Sequence, residues 1–206
     1  MLDEAIRRFD QALKTLTGSR AAERENPAAQ IEEASMDDAE RAHAAGLMRV
    51  NHTGEVCAQA LYEGQALTAR DRSVRDGLLK AAGEEADHLA WCAERLGELG
   101  SGPSVLNPLF YATSYAMGAL TGLVGDRVSL GFVEATEDQV CEHLERHLDA
   151  LPEQDAKSRA IVERMHEEEA RHGSEALQMG GAEFPAPVKQ AMTLVSRVMT
   201  ETTYRV

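Results

Sequence analysis

Glu85-Ala86-Asp87-His88 and Glu169-Ala170-Arg171-His172 each place a carboxylate three residues before an imidazole. On a helix that interval sets the two groups on adjacent turns of one face. Two single glutamates, Glu55 and Glu137, precede these pairs at nearly equal intervals. The order Glu, ExxH, Glu, ExxH is what two helical hairpins related by a pseudo-two-fold axis would present. One Glu from each of two helices and an ExxH pair from each of two others is the ligand pattern of bundles that bind two iron or two manganese ions.

A lone ExxH carries little information, and the chain has two more, Glu40/His43 and Glu163/His166. Glu40 lies fifteen residues before Glu55, about 22 Å at helical rise, too far to share one site. Glu163/His166 sits off the apolar seam of its segment. Both are assigned as surface pairs. The other six residues lie on the seams themselves: Leu78, Ala82, Glu85, Leu89, Cys92; Leu130, Val133, Glu137, Val140, Leu144; Val162, Met165, Glu169, His172, Ala176; and, less cleanly, Met48, Asn51, Glu55, Ala58, Tyr62. A glutamate stands in the middle of each, where three-and-four spacing calls for an apolar side chain. Burying an uncompensated carboxylate costs several kcal/mol. Four such groups are tolerable if two divalent cations sit among them, since the charges then cancel. A carboxylate and imidazole set without thiolate suits iron or manganese better than a structural zinc site.

The elements that position these residues are helices. The chain of 206 residues is poor in aromatics and proline and rich in helix formers, which predicts an all-α fold. Four long helices are expected at about 36–70, 72–99, 127–150 and 153–179, with Asp37 and Ser73 as starts and Gly100, Pro152 and Gly180-Gly181 as stops. A short amphipathic helix over 2–17 and a polar, mobile linker precede them, so that residues 1–35 form an appendage to a bundle over 36–206. A final helix is expected over 185–204. Cys57, Cys92 and Cys141 are odd in number and form no CxxC pair, which predicts reduced thiols. The net charge of −14 excludes a basic nucleic-acid footprint. The N-terminus carries acids early and no continuous apolar stretch, unlike a secretory signal.

Residues 101–125, SGPSVLNPLFYATSYAMGALTGLVG, form a run without charge. Its length would suit a transmembrane span. A span there would put the two halves of the ligand set on opposite sides of a bilayer, so that reading is rejected. Two remain: a buried connection, or a segment dipped into the membrane interface. Leu106, Leu109, Phe110, Tyr111, Tyr115, Met117, Leu120, Leu123 and Val124 supply its apolar surface. Around the metal site, Asn51 (four residues before Glu55) and His143 (six after Glu137) are candidates to orient the ligands from outside, with His147 a weaker one. For each histidine an ordinary hydrogen-bonded role is an equal alternative.

The strings GLMRVNHTGEVCAQALYEGQ, EEADHLAWC, VEATEDQVCEHL and EEEARHGSEA resemble the demethoxyubiquinol hydroxylases of ubiquinone biosynthesis. The resemblance runs from about residue 36 to the C-terminus and includes the uncharged insert. It implies a ferritin-like four-helix bundle with additional N-terminal, interfacial and C-terminal helices. It also implies two iron ions per chain, with Glu55 and Glu137 as terminal ligands, Glu85 and Glu169 as bridging ones, and His88 and His172 as nitrogen donors. The implied reaction is hydroxylation of the ring of a polyprenylated methoxy-benzoquinol with dioxygen and two reducing equivalents. The family's suggested electron sources are the quinol itself or a nicotinamide nucleotide acting through the quinone; no stretch here resembles a nucleotide-binding loop. A lipid-borne substrate implies peripheral attachment to the cytoplasmic side of the cell membrane, and other ubiquinone-biosynthesis proteins as partners. The competing readings are a ferritin-like iron-oxidation protein without organic substrate, against which the uncharged insert counts, and a non-catalytic bundle with a structural metal, which an open, thiolate-free ligand set disfavours.

Overall fold

The computed structural model describes residues 2–18 and 21–206, and among them it contains helices and no strand. The helices are α1 (Leu2–Thr17), α2 (Asp38–Thr68), α3 (Arg72–Glu98), α4 (Asn107–Val124), α5 (Asp126–Ala150), α6 (Ala156–Gln178) and α7 (Ala186–Thr203). The expected all-α, ferritin-like bundle is present: α2 pairs with α3, α5 pairs with α6, and the two hairpins meet through α3–α6 and α2–α5 contacts.

Short polar side chains start α2, α3 and α6. Asp37 accepts from the amides of Ala39 and Glu40, while Glu40 reaches back to the Asp37 amide, a reciprocal capping box. Asp71, and not Ser73, caps α3, with its carboxylate accepting from the Ser73 amide. Asp155 caps α6, three residues later than the periodicity predicts, because Pro152 holds the chain out of helical geometry first.

α2 is buried along nearly its whole length, because α1, α4 and α7 all pack on it in addition to its bundle neighbours. The uncharged run is therefore a helix, α4, lying lengthwise on α2. Asn107 anchors its start, accepting from Thr53 Oγ1 at 2.8 Å. Glycines set the closeness of the rest. A methyl at Gly118 would collide with the Leu61 carbonyl, one at Gly64 with the Tyr115 carbonyl, and one at Gly122 with Thr68. The buried connection thus describes one face of the insert, and the other face is exposed. Tyr111 is buried, with its hydroxyl donating to Glu63 at 2.7 Å, and Tyr115 stacks beside it. Leu106 and Phe110 are half-buried, while Leu109, Met117, Leu120, Leu123 and Val124 are exposed. None of the described helices is long and apolar enough to cross a membrane.

The Gly118→Val protein should unfold at lower denaturant than the parent, because two helical backbones cannot yield to a branched side chain. A loss of at least ~1–3 kcal/mol is expected for overpacking a tight contact, measurable by equilibrium denaturation.

The segment between α1 and α2 corrects one expectation. Its described residues form no regular element but are docked, not mobile. Ala28 is buried in the core, Asn26 donates to Glu94 at 2.8 Å, and Glu33 pairs with the buried Arg95 at 2.5 Å. Arg24 reaches furthest inward, to Asp87 at 2.5 Å and Glu168 at 2.7 Å, with its guanidinium over the Trp91 ring. Polar composition suggested a solvated chain; ion pairs with acids on α3 and α6 hold it down instead.

Candidate metal centre

The seam positions bring all six sequence candidates to mid-height of the bundle. α2 carries Glu55, α3 carries Glu85 and His88, α5 carries Glu137, and α6 carries Glu169 and His172. Each is at most 4 % exposed. Ligating atoms of Glu55, Glu85, His88 and Glu169 all lie within 4.8 Å of one another.

The two ExxH pairs interlock. His88 Nδ1 is 2.9 Å from Glu85 Oε2 and 3.1 Å from Glu169 Oε1. His172 Nδ1 is 3.1 Å from Glu85 Oε1 and 3.1 Å from Glu169 Oε2. Glu85 and Glu169 therefore each turn one oxygen toward each histidine. Glu55 approaches from the His88 side, 3.5 Å from its Nδ1. Glu137 lies on the opposite flank, where the Tyr62 hydroxyl donates to its Oε1 and the Tyr62 ring meets the edge of His172.

The electrostatics are those of negative charge crowded out of water. Burial, together with Glu169 and Glu85, holds Glu55 and Glu137 well above the usual carboxylate range. Burial would raise Glu85 as well, but hydrogen bonds from His172 and His88 outweigh it and keep that carboxyl low. Both imidazoles move the other way. Burial opposes their charge, yet the surrounding carboxylates raise His88 well above its ordinary value and His172 to about 12. The imidazoles and the carboxylates around them thus favour one another's charge. Glu137 Oε2 still lacks any hydrogen-bond partner, while Glu55 Oε2 and Glu85 Oε1 have only ion-pair contacts with His88 and His172 outside hydrogen-bond geometry. Unsatisfied carboxylate oxygens cost free energy, and a divalent cation coordinated by them removes the cost. The donor set fits a pair of hard-to-borderline metal ions.

A second layer fixes the imidazoles, and sequence reasoning missed it. His88 Nε2 pairs with Glu168 Oε2 at 2.8 Å, and His172 Nε2 pairs with Glu84 Oε2 at 2.8 Å. Each motif is in fact EExxH, and the first glutamate of each serves the histidine of the opposite helix. The doubled glutamate was a visible signal; its cross-helix target was not. Such a carboxylate orients a metal-binding imidazole and strengthens it as a donor. Arg171 steadies Glu84 at 2.6 Å, while Arg24 and Arg164 steady Glu168 at 2.7 and 2.6 Å. Glu168→Ala should therefore weaken metal binding by about 10- to 100-fold. Arg24→Ala should cost less, because Arg164 remains; metal titration of the two proteins checks the order.

The two candidates for outer positions lie elsewhere. Asn51 is buried, but its amide donates to Met48 Sδ at 3.8 Å and makes no hydrogen bond to Glu55. His143 packs against His147 with ring centroids 3.9 Å apart and the rings tilted by 57°, and both line a cavity between α5 and α7. Burial lowers them to about 4 and about 2. The two other ExxH pairs do separate work: His43 binds the Tyr204 hydroxyl and the Ala150 carbonyl, tying down α7, and His166 pairs with Glu145. The three cysteines are free.

Comparison with known proteins agrees with this geometry. A family model described as ubiquinone biosynthesis protein COQ7 matches residues 42–203. A protein of Marinomonas sp. (strain MWYL1) named 3-demethoxyubiquinol 3-hydroxylase is 58% identical over 206 residues, covering 100% of this chain and 98% of its own. Proteins of the same name from Ectopseudomonas mendocina (strain ymp) and Ralstonia pickettii (strain 12J) are 59% and 56% identical, again over 100% of this chain and over 96% and 100% of their own. With buried EExxH pairs facing each other across the bundle and the family model spanning most of its length, the chain belongs to the COQ7 family of ubiquinone biosynthesis proteins.

Proposed function

We propose that the chain is a di-iron monooxygenase that hydroxylates the ring of a polyprenylated methoxy-benzoquinol with dioxygen in ubiquinone biosynthesis. The observation that carries this reading is the reciprocal placement of Glu85 and Glu169, each with one oxygen toward each histidine. That arrangement would let both carboxylates hold a pair of ions, with Glu55 a further ligand on the His88 side and Glu137 one on the His172 side. The hydroxylase name of the relatives supplies the substrate class and disfavours iron oxidation alone as the function.

Two ferrous ions held there would deliver two electrons to dioxygen at one place. The chain's own residues do the rest. Glu84 and Glu168 keep the Nδ1 atoms of His172 and His88 aimed inward by binding their Nε2 atoms. Tyr62 donates a hydrogen bond to Glu137 Oε1 and so fixes which oxygen of that carboxylate stays free. Leu78, Ala82, Leu130 and Val133 on one side, and Leu89 and Cys92 on the other, exclude bulk water.

The exposed face of α4 gives the enzyme its way to a lipid-borne quinol. Leu109, Met117, Leu120 and Leu123 are about half exposed or more, on a helix without charge. Such a face enters the boundary between headgroups and acyl chains. The glycine contacts fix its opposite side to α2, so a membrane meeting the exposed face would lie beside the helix that carries Glu55. Peripheral attachment at the cytoplasmic face, and association there with other enzymes of the pathway, follow from this reading.

Two measurements test it. Purified protein should contain close to two irons per chain, as the two-ion ligand pattern requires, by elemental analysis. Cells lacking the gene should accumulate a quinone short of one ring oxygen. An unchanged quinone profile would remove the substrate assignment.

A further inference from the structure

We infer that the cleft between α3 and α6, ending on Tyr62 and His172, is a dioxygen-access site separate from the route of the quinol. The identity of the gas rests on the hydroxylase reading above; the existence of the gas site does not. The walls are Leu78, Leu130, Val133 and Ala176, all buried, with Ala81 nearer the surface. Gly77 and Met179 form the mouth, where the Met179 thioether lies over the space that a side chain at Gly77 would take. The inner end is one residue from the carboxylates: Tyr62 binds Glu137, and His172 Nδ1 lies against Glu85 and Glu169.

Size and polarity select the occupant. The cavity is about 50 Å³. An apolar cavity of about 150 Å³ accepts benzene, and dry cavities of this kind also take up xenon. A substituted quinol ring is therefore too large for this one, whereas a diatomic gas fits. The charged groups at its rim are committed elsewhere. Glu84 is held by His172 and Arg171, with Lys80 at 3.5 Å from it, and Glu175 is paired with Arg171 at 3.2 Å. No free charge is left to attract an ionic ligand, and the aliphatic walls offer water few partners. Dioxygen, uncharged and poorly hydrated, partitions into such a space. The quinol would then approach from another side while dioxygen enters here, so neither blocks the other.

The full-length protein under xenon, studied by xenon-pressurised crystallography, should show an atom between Leu78 and Ala176. Ala81→Leu and Gly77→Leu, which narrow the cleft without touching the metal-facing residues, should abolish that occupancy while retaining iron. In both variants the bimolecular rate constant for dioxygen should fall several-fold, and KM for a short-tailed quinol should stay unchanged. Oxidation of bound ferrous iron by dioxygen without quinol should slow by the same factor. Absence of xenon from the cleft in the parent protein would overturn the assignment. So would an undiminished dioxygen rate constant in both xenon-free variants, or an equal loss toward dioxygen and quinol. If iron oxidation slows in the variants but the parent turns over no quinol, the gas site stands and the hydroxylase reading falls.

Discussion

The Glu169→Ala protein is expected to lose most of its iron and more than about 100-fold of its hydroxylation rate, since even an outer partner of a metal-binding imidazole is worth up to that factor. Glu169 touches both histidines, so its loss would deprive both ions of a ligand and not one alone. The metal-free form should lose stability as well, for a different reason. There Glu169 is paired with the imidazoles of both His88 and His172, and removing one partner of a buried ion pair leaves the other uncompensated. The metal-free variant should thus melt below the metal-free parent. The rise in melting temperature that added iron gives the parent, through preferential binding to the folded state, should vanish. Elemental analysis with thermal unfolding, with and without ferrous ion, reads both halves. Full iron retention would end the ligand assignment.

The Leu109→Asp/Leu120→Asp protein is the second case, and it should fold normally yet leave the membrane. Both side chains are largely exposed, at 60% and 58%, so the folded chain loses little packing. Inserted into lipid, a leucine gains about 2 kcal/mol. Losing two corresponds to roughly a thousandfold in partition coefficient, before the cost of burying two carboxylates is counted. Flotation with liposomes should find the variant in the soluble fraction. Turnover of a long-tailed quinol should fall steeply, while a short-tailed analogue soluble in water should be hydroxylated as before. Equal turnover of both substrates together with unchanged flotation would reduce α4 to a piece of packing.

The parts of this molecule legible in sequence are those whose signal repeats along one helix. Glu55, Glu85, Glu137 and Glu169 interrupt apolar seams, and the seam itself says which way they point. Asp37 announces the start of α2 through its own capping box. Less legible was any feature whose partner sits on another helix. Asn51 and His143 were chosen by distance along the chain, and the bundle turns them to Met48 and to His147. Glu84 and Glu168, passed over, do the orienting because α3 and α6 run side by side with their motifs in register.

What the sequence determined by itself was therefore the helical class, the six inward-pointing ligand candidates and an uncharged segment that had to meet either core or lipid. Only the tertiary structure decided that one face of this segment meets the core and the other is left exposed, because glycines at 64, 118 and 122 let the first lie against α2. It also decided that Arg24, in a stretch with no periodicity, reaches the acid behind His88. The physical reason is common to both. Periodicity reports the face a side chain occupies on its own helix, whereas contact depends on which helices adjoin and at what height, and that is set by the packing of the whole chain.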